Sequence, residues 1–257
     1  MSHFEDWIGL KTLYTREVRR FLKVKAQTIM APIVTALIFL TVFSLAYGDA
    51  IRIVKGVLFI EFLAPGLIMM SIIQNAFANT SSSIVVAKVQ GNIVDTLMPP
   101  LTPNELTLGI ALGGVTRGIL VGFFVGIGIS IFVDVKIIYP FFLIFHSLMA
   151  SLMLSLLGLI GGIFAEKFDQ MSAITHFLIT PLSFLSGTFY SIERLPETVQ
   201  IIAHLNPFFY MIDGFRYGMI GSSDGSLLAG VIVMICGNII LWLFCNRLFF
   251  VGYKLKA

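Results

Sequence analysis

Long runs without a charged residue constrain this chain more than any other feature. The first of them, residues 26–48, contains no Asp, Glu, Lys or Arg and is ended by Asp49. A helix needs about 20 apolar residues to cross a bilayer, so this run is long enough to span one. The chain is 57% hydrophobic and only 12% charged, whereas soluble domains carry roughly 25% charged residues. We therefore predict an integral membrane protein.

The apolar runs predict helices, because the alternation of apolar and polar residues that is typical of β-barrel strands is absent. The predicted fold is an all-α membrane protein with six transmembrane helices. Its membrane domain covers residues 26–250 and leaves a cytoplasmic tail, residues 251–257. The six predicted spans are residues 26–48, 58–79, 107–133, 137–165, 171–190 and 226–246.

The segment before the first span, residues 1–25, carries six Lys or Arg residues. Between Trp7 and Leu22 its apolar residues recur at helical spacing, with basic residues between them. This pattern predicts an amphipathic helix at the cytoplasmic membrane interface. The segment is too long and too charged to be the start of a signal peptide, so the first span is expected to stay attached. The helix is either a simple topology anchor or a docking element.

Between the second and third spans lies the longest predicted connection outside the hairpin described below, residues 80–105. Residues 87–92 and 95–97 within it predict one short amphipathic helix, which the prolines of Met98-Pro99-Pro100 would stop. An ordinary interfacial loop is the other interpretation of this segment.

The third span presents a problem of length. Residues 118–133 give 16 uncharged residues, which is about 24 Å of helix and less than a hydrocarbon core of about 30 Å. The helix must therefore begin near Leu106 and include Arg117, whose side chain can reach the cytoplasmic headgroups. A row of small residues spaced four apart predicts a helix-packing face on this span: Gly114, Gly118, Gly122, Gly126 and Ser130.

Two further polar residues fall inside predicted spans. Glu61 lies in the first turn of the second span and is either interfacial or part of a translocation pathway. His146, in the fourth span, is expected to form a hydrogen bond with a neighbour.

Residues 181–221 do not contain a complete span. Their uncharged run, residues 198–212, has only 15 residues, and Pro207 interrupts it. We predict that residues 191–220 form a re-entrant helical hairpin between spans 5 and 6, opening from the outer side. Its turn would lie near Leu195-Pro196 or near Asn206-Pro207. The predicted gate residues are Leu195, Pro196, Asn206, Pro207 and Arg216.

The charged side chains of the hairpin have a structural explanation as well. Glu193, Arg194 and Glu197 would neutralise one another at the outer interface. Arg216 would pair with Asp213, three residues away on a helix.

The order of an apolar span, Leu195-Pro196, Asn206-Pro207 and an aromatic run ending in Gly214-Phe215-Arg216-Tyr217-Gly218 resembles the permease subunit of type-2 ABC exporters. The small bacterial inner-membrane permeases of this family are the most similar in length, and the resemblance covers nearly the whole chain. It implies that residues 80–105 contain the coupling helix, which sits in a groove of an ABC ATPase. The coupling residues would be Lys88, Val89, Gln90, Asp95 and Leu97.

The resemblance also implies a homodimer that binds two ATPase subunits. No lysine in the chain follows a glycine, so the phosphate-binding sequence GxxxxGK[ST] is absent. The chain is therefore not expected to be an enzyme, and ATP and Mg²⁺ would bind to the partner ATPase. No residue spacing typical of a metal site occurs, and a net charge of +3 is too small to indicate nucleic acid.

The predicted function is export of an amphipathic or lipid-linked substrate (glycolipid, polysaccharide or drug-like) across the bacterial inner membrane. With both termini in the cytoplasm, the inner segments hold most of the 17 Lys and Arg residues, in line with the positive-inside rule. The alternative is an ATP-independent secondary transporter or channel. That function would need intramembrane ionisable groups, for which Glu61 and Arg117 are the plausible pair, and inverted repeats, which the sequence does not reveal. A membrane enzyme fits less well than either.

Overall fold

The computed structural model describes residues 3–47 and 53–254. About 81% of the chain is helical. A π-helical turn, Thr175–Ile179, joins α7 to α8, and a 3₁₀ turn, Ile192–Arg194, precedes α9. The elements in chain order are α1 (His3–Leu22), α2 (Lys25–Tyr47), β1 (Ile53–Val54), β2 (Val57–Leu58), α3 (Phe59–Val89), α4 (Ile93–Leu97), α5 (Pro103–Ser130), α6 (Pro140–Phe164), α7 (Phe168–Ile174), α8 (Thr180–Phe184), α9 (Glu197–Leu205), α10 (Pro207–Ile220) and α11 (Leu227–Val251).

Five helices in the described part of the chain are long and apolar enough to cross a membrane, namely α2, α3, α5, α6 and α11. The predicted fifth span, residues 171–190, instead consists of α7, the π turn and α8, and its helix ends at Phe184. Pro181 lacks an amide hydrogen and leaves a carbonyl in the preceding turn without its usual donor, which accounts for the irregular winding there.

Helix α3 lies at the centre of the bundle. It packs mainly against α6 and α5, and also against α10 and α2. Most of its side chains are buried, whereas α2 and α11 direct most of their apolar side chains outward. The two strands form a short antiparallel hairpin immediately before α3, with Ile53 opposite Leu58.

Helix α3 continues ten residues beyond the predicted end of the second span at residue 79, so residues 80–89 are not a loop. Two hydroxyl groups in this part of the helix have distant partners. Thr80 donates to the carbonyl oxygen of Ser155 at 2.7 Å, and Ser83 donates to Glu17 at 2.8 Å.

The predicted single helix over residues 87–97 is also wrong. Its first half is the last turn of α3, and α4 begins only at Ile93. Gly91 separates them in a left-handed conformation, with a φ of 73°, which a glycine adopts without steric cost.

Helix α5 includes Arg117, as its length requires, and begins at Pro103 rather than at residue 107. A capping box fixes this start. The hydroxyl of Thr102 accepts from the amide of Glu105, and the Glu105 carboxylate accepts from the amide of Thr102 at 2.7 Å. The two side chains satisfy amides that would otherwise lack a partner at the start of the helix.

The glycine row of α5 lies against α3 over most of its length. A Cβ atom on Gly114 would be 2.7 Å from Cγ2 of Thr80, and one on Gly118 would be 2.9 Å from the carbonyl oxygen of Ile72. A Cβ atom on Gly122 would overlap the Ile72 side chain. These glycines therefore allow the two helices to approach closely, as predicted.

The far end of the row departs from the prediction. A Cβ atom on Gly126 would be 3.7 Å from Cδ1 of Ile68, an ordinary contact distance. Ser130 is exposed and donates its hydroxyl to the carbonyl oxygen of Ile127 in its own helix. The close approach is thus confined to the part of α5 that faces the middle of α3.

The two ends of this glycine row provide a matched pair of substitutions. Gly118→Ala should lower the stability of the protein by about 1–3 kcal/mol, because the new methyl group would meet a helix carbonyl that cannot move alone. Gly126→Ala should leave stability nearly unchanged. Thermal unfolding of both variants in one detergent measures the difference. Equal melting temperatures for the two variants would contradict the close α3–α5 contact.

Candidate functional site

One end of the bundle, here called the α4 end, contains α4, the last turn of α3 and the start of α5. Lys88 connects this end to α6. Its ammonium group donates to the carbonyl oxygens of Ile163 at 2.8 Å and Ala165 at 2.6 Å. Carbonyls at a helix C-terminus lack intrahelical donors, so Lys88 caps α6 and its charge is already used inside the protein.

Exposed side chains cluster where α3 passes into α4. We call this surface the α4 tip and define it as Val89, Gln90, Val94, Asp95 and Met98. Its apolar members are strongly exposed, with 76% of Met98 accessible. Val94 and Met98 were not among the predicted coupling residues. Their exposure follows from the turn at residue 91, which the sequence pattern alone did not reveal.

The remaining predicted coupling residue, Leu97, has a different environment. It is partly buried and packs, with Leu101, against the apolar cluster that contains Leu106. Thr96, beside it, accepts a hydrogen bond from Arg16 of α1 at 2.9 Å. Leu97 therefore anchors α4 to the bundle, and the neighbouring hydrogen bond fixes α4 to α1.

A buried carboxylate joins α1 to α3. The Glu17 side chain is fully buried and accepts from Arg20 at 3.1 Å, from Arg16 at 3.2 Å and from Ser83 at 2.8 Å. Arg20 also donates to the carbonyl oxygen of Asn79 at 2.6 Å. A buried charge is tolerated when it is paired and hydrogen-bonded in this way.

The sequence pattern alone does not single out Glu17. A helical ion pair with Arg20 at i+3 is visible in the sequence, but its burial depends on Ser83, which lies 66 residues away. The side chains that connect α1 to α3 were therefore not identifiable before the fold was known.

A cavity of about 900 Å³ opens between α1, the end of α3 and α4. We call it the basic groove. Its lining contains more cations than anions, and it reaches the α4 tip through Gln90 and Asp95. Such a surface favours a partner with acidic side chains. The charged residues that line it are Lys11, Arg16, Glu17, Arg19, Arg20, Lys23 and Asp95.

The opposite end of the bundle, here called the hairpin end, contains α9 and the start of α10. The two helices meet at Asn206, whose side-chain oxygen accepts from the amide of Phe208 at 3.1 Å and caps α10. Pro207 occupies the first helical position, where a missing amide hydrogen is tolerated. Of the two possible turns, the one between helices is thus at Asn206-Pro207. Leu195-Pro196 instead precedes the start of α9.

The side-chain amide of Asn206 also fixes this turn to α8 and the chain after it. It donates to the carbonyl oxygen of Leu182 at 2.9 Å and to the hydroxyl of Ser186 at 2.8 Å. One side chain therefore holds α8 and α10 together.

Arg216 and Asp213 do not form the predicted ion pair. Arg216 is almost completely buried, donates to the carbonyl oxygen of Gly187 at 2.6 Å and lies 4.0 Å from the ring centroid of Phe62. Asp213 instead accepts from the amides of Asp224 and Gly225 at 2.7 and 3.0 Å. Arg216 therefore bonds to the backbone between α8 and α9, and Asp213 bonds to the backbone between α10 and α11.

Ion pairs of Lys55 connect the β1–β2 strand hairpin to the hairpin end of the bundle. Its ammonium lies 2.5 Å from Glu193 and 3.2 Å from Asp224. Burial opposes its charge, but hydrogen bonds and attraction from these two carboxylates outweigh it and raise the pKa of Lys55. The sequence suggested that Glu193 pairs with the neighbouring Arg194. In the structure Glu193 pairs with Lys55 of the strand hairpin instead.

Glu61 and Arg117, the charged pair that a secondary transporter would need, do not lie close together. Glu61 is half-buried in the first turn of α3. Arg117 donates to Asn75 at 3.2 Å, which lies 14 residues further along α3 than Glu61, or about 21 Å of helix. His146 is buried, and its Nδ1 lies 2.9 Å from the carbonyl oxygen of Phe142, so the expected hydrogen bond is confirmed.

Glu17 is the residue whose loss should disturb the α4 end most. Glu17→Ala leaves Arg20 and Ser83 without their shared acceptor, which should destabilise the protein by about 1–3 kcal/mol. Glu17→Gln retains the shape and an acceptor and should lose less stability. Thermal unfolding of the two variants tests this order, and an alanine variant as stable as the unmodified protein would contradict it.

Comparison with known proteins agrees with this architecture. Residues 9–220 match the family model described as "ABC-2 type transporter". The chain is 36% identical over 251 residues to "Inner membrane transport permease YadH" of Escherichia coli K12, covering 98% of both chains, and equally to the protein of that name in Shigella flexneri. The chain therefore belongs to the ABC-2 type transporter family and is a multi-pass helical membrane protein of its permease class.

Proposed function

We propose that this chain is the membrane subunit of an ATP-driven exporter and works as a homodimer with two ABC ATPase subunits. The observation that carries this proposal is the α4 tip lying beside the basic groove. Together they form one exposed surface at the α4 end, and its charges connect directly to α3 through Glu17 and Arg20.

The ATPase would contact the α4 tip with an apolar pocket and the basic groove with acidic side chains. Val94 and Met98 are the exposed apolar anchors, and Gln90 lies between the two surfaces. Lys88 and Leu97 would position this surface without touching the partner, because both side chains are occupied within the bundle. ATP and Mg²⁺ would bind to the ATPase alone.

The orientation follows from this contact. An ATPase that uses cellular ATP works in the cytoplasm, so the α4 end and both termini would be cytoplasmic. The name of the Escherichia coli relative and the apolar helices support a bacterial inner membrane. Helix α1 would lie in the cytoplasmic interface, where its exposed Trp7 and Ile8 would face lipid.

At the hairpin end, α9 and α10 would form the re-entrant hairpin. Helix α9 has only nine residues and exposes Ile201, Ile202 and Leu205, which suits a helix that dips into lipid or meets the second protomer. The segment α7–α8 would be the fifth of six spans in chain order, reaching the outer face at the turn that Asn206 holds. ATP binding by the ATPase docked at the α4 end would open a pathway beneath these hairpins for an amphipathic or lipid-linked molecule.

A co-purification experiment tests the proposal. The tagged chain, expressed together with its partner ABC ATPase, should form a stable complex with two copies of each subunit. Val94→Asp and Met98→Asp should each reduce the retained ATPase at least about tenfold, because each places a charge in a desolvated apolar contact.

Ile53→Asp is the matched control, since Ile53 is an equally exposed aliphatic residue at the opposite end of the bundle. It should retain the ATPase. If the α4-tip variants bind the ATPase as well as this control does, the docking surface is wrong. Vesicle transport driven by an ion gradient without any ATPase would instead support a secondary transporter.

A further inference from the structure

A second cavity, of about 400 Å³, lies between α2, α3 and α5. The first turns of α2 and the middle of α3 form most of its wall, and α5 contributes Arg117. The lining combines apolar residues with polar ones, among them Gln27, Thr28, Gln74 and Asn75. Among the described residues that line it, Arg117 alone is charged. We call this space the Arg117 cavity.

The guanidinium of Arg117 is only partly satisfied. One terminal nitrogen donates to Asn75 at 3.2 Å, while the buried Nε has no hydrogen-bond partner among the described residues. No ion pair in the described part of the chain includes Arg117. The charge that acts on it is another cation, Arg20. An intramembrane charge without a counter-charge is costly and marks a binding site more often than a packing position.

The cavity reaches into the bundle from the α4 end. Thr28 is three residues, or about 5 Å, from the start of α2 at Lys25. In the proposed orientation the cavity therefore lies in the cytoplasmic half of the membrane. Its α2 wall also contains the apolar residues Ala31 and Pro32. A charged group on Arg117 and an apolar chain along α2 would thus fit one amphipathic molecule.

We propose that the Arg117 cavity binds the phosphate headgroup of an acylated amphipathic molecule taken from the cytoplasmic leaflet. This inference rests on the proposed function and narrows its substrate to anionic, lipid-like molecules. A guanidinium matches phosphate oxygens with paired, charge-assisted hydrogen bonds. The side-chain amides of Gln27 and Gln74, which also line the cavity, provide further donors. A volume of about 400 Å³ accommodates a headgroup but not the acyl chains, which would lie against α2.

Direct binding to the purified full-length chain tests this proposal. In a non-ionic detergent, dioctanoyl phosphatidic acid should bind the unmodified protein, whereas dioctanoyl phosphatidylcholine and inorganic phosphate should bind much more weakly. Arg117→Gln should weaken binding of the acidic lipid at least about tenfold, the size expected when a charged hydrogen bond is lost. Arg117→Lys should retain most of the affinity.

Two further variants separate binding from folding. Ala31→Trp keeps the charge but fills the cavity from α2, so it should also weaken binding at least about tenfold. Arg247→Gln removes one exposed arginine elsewhere and should bind normally. Elution volume and melting temperature identify any variant that fails to fold.

Several results would overturn the inference. Equal affinity of Arg117→Gln, Ala31→Trp and the unmodified protein would place the lipid elsewhere. Inorganic phosphate binding as tightly as the acidic lipid would make the site one for free phosphate. The lipid-binding experiment omits the ATPase. If lipid binding fails while the co-purification experiment still gives the ATPase complex, only this inference is refuted. Loss of the complex with lipid binding preserved refutes the proposed function instead.

Discussion

The close approach of α3 to α5 and α6 is the constraint on which the rest of the structure depends. Glycines on both neighbours make it possible. Gly118 of α5 faces the carbonyl oxygen of Ile72, and a Cβ atom on Gly162 of α6 would be 2.9 Å from that of Ser81. Apolar side chains gain nothing by leaving lipid for another helix, so helices in a membrane associate through such close backbone contacts and the dispersion energy they provide.

Because it is held on both sides, α3 can act as a strut about 46 Å long. At the α4 end, Arg20 and Glu17 join it to α1. At the hairpin end, Phe62 lies beneath Arg216, and Gly66 lies against the carbonyl oxygen of Thr188. A closely packed helix resists bending, so a displacement at one end would be transmitted to the other. In the proposed exporter, this geometry would link an ATPase at the α4 end to the hairpin end.

Features set by chain length and local chemistry were accessible from the sequence. The short apolar run in residues 118–133 required α5 to include Arg117, and Pro207 required a break between α9 and α10. The glycine row correctly indicated a packing face, although Ser130 lies outside it. In each case the deciding residues are neighbours in sequence or lie on one face of one helix.

Features set by distant partners were not accessible. The second span was predicted to end at residue 79, yet Thr80 and Ser83 donate to Ser155 and Glu17 and the helix continues. Lys88 suggested a contact with a partner but caps α6. Arg216 suggested a local pair with Asp213, but it donates to a carbonyl 29 residues away. The role of a polar residue in a membrane bundle cannot be predicted until its hydrogen-bond or ion-pair partner is known.

Hydrogen–deuterium exchange of the reconstituted permease–ATPase complex, with and without a non-hydrolysable ATP analogue, tests the strut most directly. The nucleotide should change exchange at residues 91–98 and at residues 195–206 together, while the amides of α3 between residues 62 and 85 remain protected. A change near α4 with increased exchange inside α3, and none at residues 195–206, would show that α3 yields and that the two ends are not mechanically connected.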